Sequence, residues 1–294
     1  MLFAFDAPAV EALIRRIALR NLNSETEHWL DTNLQLLKQE GRRDGFFRVF
    51  GAIPRKAGKE LLVPSNGDLD ALSAALAGFR PLGWTRDRWI RAWWLLQPDP
   101  SPMQRYVDLI ESLFLSADLS ELECLYGCLP LYAYPESFRQ RCAEGIRSNI
   151  ATVLDAIMLD NPYPSGYLEE GPWNQMMVKA FFTGKPIRRI LGWQQRNNPE
   201  LARMLHDYAR ERRAAGRPVP SLIWLLIAPY LSSEDAGSVK QLLASSDPAE
   251  REAAWLICRQ SEAPLLQALL PDAPVSPESG RDDWNSWMNR HQIT

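Results

Sequence analysis

The chain has 294 residues, of which 46% are hydrophobic and 23% are charged, a balance that excludes a disordered or fibrous protein. Its 33 basic and 36 acidic side chains give a formal net charge of −3, so no overall positive field predicts binding to nucleic acid. No window approaches the roughly 18 consecutive apolar residues that a membrane-spanning helix needs. We therefore expect a soluble protein with a substantial core.

The cysteines and the N-terminus together predict a cytoplasmic protein. Cys124, Cys128, Cys142 and Cys258 form no C-x-x-C pair, and no histidine stands near them at zinc-ligand spacing. Free cysteines behave as small hydrophobic side chains, so we expect them in the core of a reduced protein without a metal or other cofactor. Basic residues follow the first apolar residues, which is the reverse of a signal peptide.

Residues 1–97 predict an N-terminal helical part. Helix patterns cover 24–41, 68–77 and 85–96, and the second and third are preceded by turn residues. The residues between the first and second of these helices, 45–67, include repeated glycines and prolines among aromatic and basic residues. This composition predicts an extended connector, with at most one short strand, near 45–67.

Three prolines at alternate positions, Pro98, Pro100 and Pro102, predict the boundary to a second part, because no helix can cross them. From 102 to 270 short apolar stripes alternate with turns, as in a series of antiparallel helices. The predicted helices are 102–116, 118–128, 135–159, 172–182, 186–192, 198–215, 219–231, 233–245 and 248–260.

The architecture that these elements predict is all-α, an irregular stack of antiparallel helices of the HEAT-like, α-α superhelix type. The stretch 239–270 is the clearest example, since two apolar helix faces are joined by a short turn and followed by a third apolar run. The tail 271–294 is rich in Pro, Ser, Gly and Asp and predicts a mobile arm. Trp284, Trp287 and Met288 are its candidates for local docking.

Polar residues that could bind a ligand are concentrated between 144 and 217. From 185 to 217 there are nine basic residues against three acidic ones, an excess that favours a phosphate or carboxylate. Asparagines recur in turns and near apolar stripes, where no charge explains them. The candidate binding residues are Arg147, Asn149, Asn161, Tyr163, Asn174, Lys179, Asp207, Tyr208, Glu211 and Arg212.

Each candidate also has a purely structural interpretation. Asp207 and Glu211 lie four residues apart and share a helix face, where such carboxylates commonly pair with neighbouring arginines. Asparagines such as Asn161 serve equally well to lock a helix to a turn. No nucleophile elbow, phosphate-binding loop, H-E-x-x-H motif, dinucleotide fingerprint or paired-aspartate box stands in the sequence to specify a reaction.

The segment 129–217 resembles the EboA-domain family. The residues that carry the resemblance are Leu129-Pro130-Leu131, Glu144-Gly145-Ile146-Arg147-Ser148-Asn149, Asn161-Pro162-Tyr163-Pro164, Trp173-Asn174-Gln175-Met176 with Lys179, and Asp207-Tyr208-Ala209-Arg210-Glu211-Arg212 with Ala214-Ala215-Gly216-Arg217. Pro54-Arg55 and Gly58-Lys59 match an earlier element of the family. The resemblance implies a bacterial protein associated with the synthesis or export of a secondary metabolite, with protein partners from the same gene cluster and no established reaction.

Two functions are compatible with these observations. The first is a non-enzymatic helical binding or scaffold protein, whose surface takes a cluster partner or a small anionic metabolite. The second is an enzyme on a phosphorylated or isoprenoid-type precursor. In that case Arg147, Lys179 and Arg212 would hold the anion and Asp207 or Glu211 would act as general base.

Overall fold

The computed structural model describes residues 2–270 and 283–293. Within these ranges the backbone forms α-helices and short 3-10 helices, and β-type pairing is limited to the single bridge between Leu61 and Thr85. The predicted all-α class is therefore confirmed. The HEAT-like repeat arrangement stays a prediction.

Most helix bounds lie close to those that the apolar periodicity predicts. The α-helices of the described residues are α1 Ala7–Ala18, α2 Ser24–Glu40, α3 Arg43–Ala57, α4 Asn66–Ala75, α5 Arg86–Leu95, α6 Met103–Ser116, α7 Leu119–Gly127, α8 Arg139–Arg147, α9 Ala151–Met158, α10 Tyr163–Tyr167, α11 Glu170–Phe182, α12 Pro199–Ala214, α13 Leu222–Ile227, α14 Ala236–Leu243, α15 Pro248–Gln260, α16 Pro264–Gln267 and α17 Trp284–Arg290. The 3-10 helices are Leu129–Leu131, Pro135–Phe138, Ile187–Arg189, Ala228–Tyr230 and Ser233–Asp235.

The chain divides into two compact units. The first is Met1–Trp173 with Arg189–Leu191, and the second is Asn174–Arg188 with Gly192–Thr294, in both cases as far as the described residues extend. The prolines at 98–102, where the sequence predicts a boundary, lie inside the first unit. The predicted division into 1–97, 102–270 and a tail stays a prediction.

Helix α5 lies at the centre of the first unit. It packs against α1, α3 and α7, and every residue from Asp87 to Leu95 except Arg88 is buried. Trp89, Trp93 and Trp94 are fully buried and fill the space between these helices. Because its neighbours cover it on all sides, α5 is the core element of this unit.

A buried ionic cluster accompanies the tryptophans of α5. The Arg91 guanidinium is 2% exposed and donates to the Phe50 carbonyl at 3.1 Å and to Glu121 Oε1 at 2.9 Å. Its Nη1 also lies 3.5 Å from Asp87 Oδ2, and Thr85 donates to the other oxygen of that carboxylate. Because each charge has a partner, the cluster avoids the large cost of an isolated buried ion.

Helix α3 replaces most of the predicted extended connector at 45–67. Its buried side chains, Phe46, Val49, Phe50 and Ile53, recur at helical spacing and pack against α2 and α5. Pro54 stands within the last turn, just before Gly58 ends the helix at φ +83°. Pro54 and Gly58 therefore mark the end of a helix, Gly45 and Gly51 lie within it, and only 58–65 of the predicted connector is outside a helix.

The predicted helix 135–159 is interrupted. A 3-10 turn covers Pro135–Phe138, α8 follows, and Ser148 and Ile150 adopt extended backbone before α9 begins. The apolar stripe continues across the break because α8 and α9 pack against each other. Periodicity alone cannot distinguish one long helix from two short ones that share a buried side.

The second unit is built from α12 to α17 with the C-terminal part of α11. Helix α13 is buried along its whole length, α12 packs against it, and α14 packs against α15. Asn198 and Asp247 cap α12 and α15 as the sequence suggests, accepting from the amides of Leu201 and Ala249 at 2.9 Å each.

Part of the predicted mobile tail is a docked helix. Trp287 is fully buried on α15 and its indole donates to the Ala249 carbonyl at 2.9 Å, while Met288 is 4% exposed. Arg290 and His291 both contact the Glu252 carboxylate. The rest of that prediction, for 271–282 and the final residue, lies outside the described residues.

All four cysteines are free and buried. Burial raises the pKa of the Cys258 thiol to about 11, which keeps it protonated and unreactive at neutral pH. A search of the described residues for a helix with the length and apolar character to span a bilayer finds none.

Candidate functional site

The predicted binding residues are divided between the two units. Arg147, Asn149, Asn161 and Tyr163 belong to the first, and the other six belong to the second. Arg147 ends α8 and Asn149 follows it, both with exposed side chains. Lys179 is half-buried on α11, where burial lowers the pKa of its ammonium group.

Asn161 and Tyr163 lock a turn in the first unit. The buried Asn161 amide donates to the Ala156 carbonyl at 2.9 Å and accepts from the Tyr163 amide at 2.9 Å. The Tyr163 hydroxyl donates to the Pro135 carbonyl at 2.5 Å, and burial raises the pKa of the phenol. These side chains join α9 to the turn at Pro135, so their polar atoms are used within the fold.

Asn174 makes a reciprocal pair of side-chain hydrogen bonds in the second unit. Its amide nitrogen donates to Asn198 Oδ1 at 3.1 Å, and the Asn198 amide donates back to Asn174 Oδ1 at 2.9 Å. Asn198 also caps α12, so the pair fixes the start of that helix to α11.

The candidates on α12 lie along its solvent-accessible side. Asp207 accepts from Arg203 Nη1 at 3.0 Å, and its side chain is 49% exposed. Arg212 donates to the Pro218 carbonyl at 2.6 Å and to the Tyr208 hydroxyl at 3.1 Å, with its guanidinium over the Tyr208 ring. Glu211 is exposed. The structure therefore joins Tyr208 to Arg212 and Asp207 to Arg203.

A larger opening lies elsewhere in the first unit, where the sequence predicts no site. This proline-loop cavity has a volume of about 760 Å³ and is formed by the end of α2, the start of α3, the loop 97–102 and the start of α6. Its apolar lining residues are Leu37, Phe46, Pro98, Pro102, Tyr106 and Leu109. The volume is within the range of small-molecule binding sites.

The rim of the proline-loop cavity is basic. Four basic side chains, Lys38, Arg42, Arg43 and Arg105, line it together with two acidic ones, Asp99 and Asp108. Both acids already accept hydrogen bonds, from the Ser101 amide at 2.9 Å and from the Gln104 side chain at 2.8 Å. The rim therefore favours an anion.

Two helices begin at this cavity. No side chain caps the N-terminus of α3 or of α6, whose N-cap residues are Arg42 and Pro102. Helix N-termini carry partial positive charge and amides without intrahelical partners. Both helix ends therefore add to the attraction of the basic side chains for an anion.

The cavity is held in shape by contacts across its walls. Arg105 donates to the Gly41 carbonyl at 2.8 Å, where Gly41 ends α2 at φ +60°. Arg43 contacts the Ser112 hydroxyl of α6 and lies over the Phe47 ring. Burial raises the pKa of Tyr106, so its hydroxyl, which accepts from the Ala133 amide at 3.2 Å, stays neutral.

A second cavity of the first unit, of about 280 Å³, has mixed charge. Arg88 and Arg189 line it together with Glu123, Asp155 and Asp160. Arg189 pairs with Asp160 through two of its nitrogens. Two cations stand against three carboxylates, so this cavity lacks the basic excess of the proline-loop cavity.

Comparison with known proteins identifies the family. A family model described as "Metabolite traffic protein EboA" matches residues 10–228, which is more than half of the chain. The chain belongs to the EboA family. No curated protein and no solved structure matches it. The matched range contains the whole proline-loop cavity of this EboA-family chain and all ten predicted binding residues.

A metal site is not evident in the part of this EboA-family chain that the structure describes, where no three His, Cys, Asp or Glu side chains are arranged to hold an ion. The sequence does not predict the proline-loop cavity because its residues come from four separate segments. The local signals are the basic residues on both sides of Gly41 and the run of prolines, and these patterns predict a helix end and a boundary.

Proposed function

We propose that this chain is a non-enzymatic binding component of metabolite traffic, and that the proline-loop cavity holds a small molecule with an apolar body and an anionic group. The observation that carries the proposal is the combination in one cavity of an apolar lining with a basic rim. Membership of a family described as metabolite traffic proteins supports it.

The wider setting of the proposal follows the family resemblance. We propose a cytoplasmic protein of a bacterial secondary-metabolite pathway, acting in biosynthesis or export beside protein partners from the same gene cluster. The predicted residues Arg147, Asn149 and Lys179 are each a proposed contact for such a partner. The buried Asn161, Tyr163 and Asn174 support the scaffold.

The enzymatic alternative places a general base at Asp207 or Glu211. Asp207 is bound to Arg203 and half-exposed, and Glu211 is exposed. Neither carboxylate lines the cavities described here. A general base works best in a site that holds its substrate within hydrogen-bond reach, so these positions favour the non-enzymatic proposal.

Calorimetric titration with geranyl diphosphate tests the proposal, because this probe combines a branched hydrocarbon chain with an anionic head. We expect binding by the wild type, and weaker binding of geraniol and of pyrophosphate, each of which retains one half of the probe. Lys38→Glu reverses a charge at the rim and should weaken binding of the diphosphate about tenfold, equivalent to about 1.4 kcal/mol.

Lys59→Glu provides the matched control. Lys59 is also an exposed lysine of the first unit, but it does not line the proline-loop cavity. The Lys59→Glu variant should bind the probe as the wild type does. If the two lysine variants lost affinity for the probe equally, the effect would come from the overall charge of the protein and not from the cavity rim. Absence of wild-type binding would contradict the proposal.

A further inference from the structure

A cavity in the second unit has a polar lining in which every side chain can donate a hydrogen bond. This α12–α14 cavity, of about 290 Å³, is bounded by α12, α13 and α14. Its polar lining side chains are His206, Arg210, Arg213, Trp224, Ser238 and Gln241. Each can donate a hydrogen bond, and no carboxylate is among them. The two cavities of the first unit described above each contain acidic groups.

Two carboxylates that do not line this cavity lie beside two of its donors. Asp235 Oδ1 lies 3.7 Å from His206 Nδ1, and Glu250 Oε1 accepts from Arg213 at 3.2 Å. The Arg213 guanidinium also stacks over the Trp224 ring, 4.8 Å from its centroid. These contacts fix Arg213 and Trp224 against each other, so part of the lining is arranged before any ligand binds.

Trp224 carries a donor without an acceptor. Its side chain is 2% exposed, and the indole Nε1 is buried without a hydrogen-bond partner among the described residues. A buried donor without a partner has lost its hydrogen bond to water and gained none in return, so such groups call for an explanation. Trp224 lines the α12–α14 cavity, so its indole is sensitive to a ligand that binds there.

Arg210 is the cation that remains for a ligand. It is exposed on α12 and makes no hydrogen bond or ion pair with the described part of the chain. Arg213 is partly engaged by Glu250, while Arg210 retains its five N–H donors. The guanidinium fork fits the oxygens of a phosphate in a bidentate manner.

We propose that the α12–α14 cavity is a second binding site, which takes the phosphate group of a small phosphorylated molecule. Three phosphate oxygens can use more of the six lining donors than the two oxygens of a carboxylate. The volume is at the lower end for ligand sites, so the phosphate enters with a small body. This site shares no residue or unit with the proline-loop cavity, and the inference does not rest on the proposed function.

The indole N–H of Trp224 provides a readout at the site itself. In a ¹H–¹⁵N spectrum the indole signals of the eleven tryptophans are separate from the backbone amides. The signal absent from Trp224→Phe identifies Trp224, and the ten that persist verify the fold of that variant. Titration of the wild type with pyrophosphate at constant ionic strength should move the Trp224 signal in a saturable manner.

Arg210→Ala should raise the pyrophosphate concentration for half-saturation about tenfold, as expected for loss of a charge-assisted contact. Arg217→Ala removes another exposed arginine, just after α12 and outside the cavity, and should leave half-saturation within about twofold. A Trp224 signal that does not move, or equal weakening in both variants, would overturn the proposal.

Two further variants separate this site from the proline-loop cavity. Gln241→Glu places a carboxylate in the lining without changing its size and should also weaken pyrophosphate binding about tenfold. Lys38→Glu, at the rim of the proline-loop cavity, should leave the Trp224 titration unchanged. If Lys38→Glu abolished the Trp224 shift and Arg210→Ala did not, the second site would be refuted.

Discussion

Asp68 is a buried carboxylate that several hydrogen bonds and ion pairs connect to the rest of the first unit. Its side chain is 7% exposed and accepts from the Ser65 hydroxyl at 2.6 Å, from Arg16 at 2.8 Å and from Arg20. It also completes the capping box of α4 by accepting from the Ser65 amide. The residue therefore fixes the start of α4 and joins it to α1.

These contacts hold the pKa of Asp68 well below its usual range. The hydrogen bond from Ser65 is the largest cause, burial opposes it, and Arg20 adds to the lowering. Because the folded-state pKa is depressed, the carboxylate stabilises the fold above the unfolded-state pKa of about 3.9, and this contribution is lost as the pH falls toward the folded-state value.

Asp68→Asn should lower the free energy of unfolding by about 2 kcal/mol at pH 7, since charged hydrogen bonds to a buried group are lost. Urea unfolding at pH 7 and at pH 3 measures the difference from the wild type, which should shrink at the lower pH. Asp70→Asn is the control, because Asp70 is 66% exposed and pairs only with Arg80 among the described residues. A difference as large at pH 3 as at pH 7 would contradict this account.

The close packing of helices α8 and α9 depends on one glycine. A Cβ added to Gly145 would lie 2.5 Å from Tyr126 Cε1 and 2.6 Å from Ile157 Cδ1. Both neighbours are core side chains, 6% and 0% exposed, and cannot move aside freely. The close packing of α8 against α7 and α9 therefore requires glycine at this position.

Gly145→Ala should destabilise the protein by about 1–2 kcal/mol, because overpacking outweighs the better helix propensity of alanine. Gly237→Ala is the matched control within α14, where an added Cβ meets no atom within 4 Å. It should stabilise by up to about 1 kcal/mol, since only the propensity changes. Chemical denaturation measures both, and the same sign for the two variants would show that the packing argument is wrong.

Helix α3 shows where local signals mislead. Its apolar side chains stand at helical spacing, but glycine at 45, 51 and 58 and proline at 54 favour a turn or an extended segment. Tertiary packing on α2 and α5 stabilises the helix in spite of them. Propensity differences of about 1 kcal/mol per glycine are small against the burial of two phenylalanines.

At the scale of the whole molecule, the helical class and most helix positions could be predicted from the sequence. The local signals are apolar periodicity, proline at the first turn of α12 and α15, and N-cap residues such as Asn198. Each of them coincides with a helix of the structure. The division into two units at Trp173 could not be predicted, because it depends on which helices pack together. No composition change marks it.

The candidate sites were harder to predict than the fold. The asparagines at 161 and 174 stand out in sequence, but the structure uses their amides for internal hydrogen bonds. The two cavities on which the proposals rest collect side chains from distant segments, such as Lys38 with Arg105, and Arg210 with Gln241. A linear pattern carries no signal for such sets.

A ³¹P NMR time course of geranyl diphosphate with the purified protein distinguishes binding in the proline-loop cavity from turnover. We predict that its resonances broaden, that Lys38→Glu reduces the broadening while Lys59→Glu does not, and that no new phosphorus resonance appears. This result would show binding at the rim of the proline-loop cavity without turnover. Growth of product resonances, or broadening that is the same in both lysine variants, would contradict a non-enzymatic binding function of this cavity.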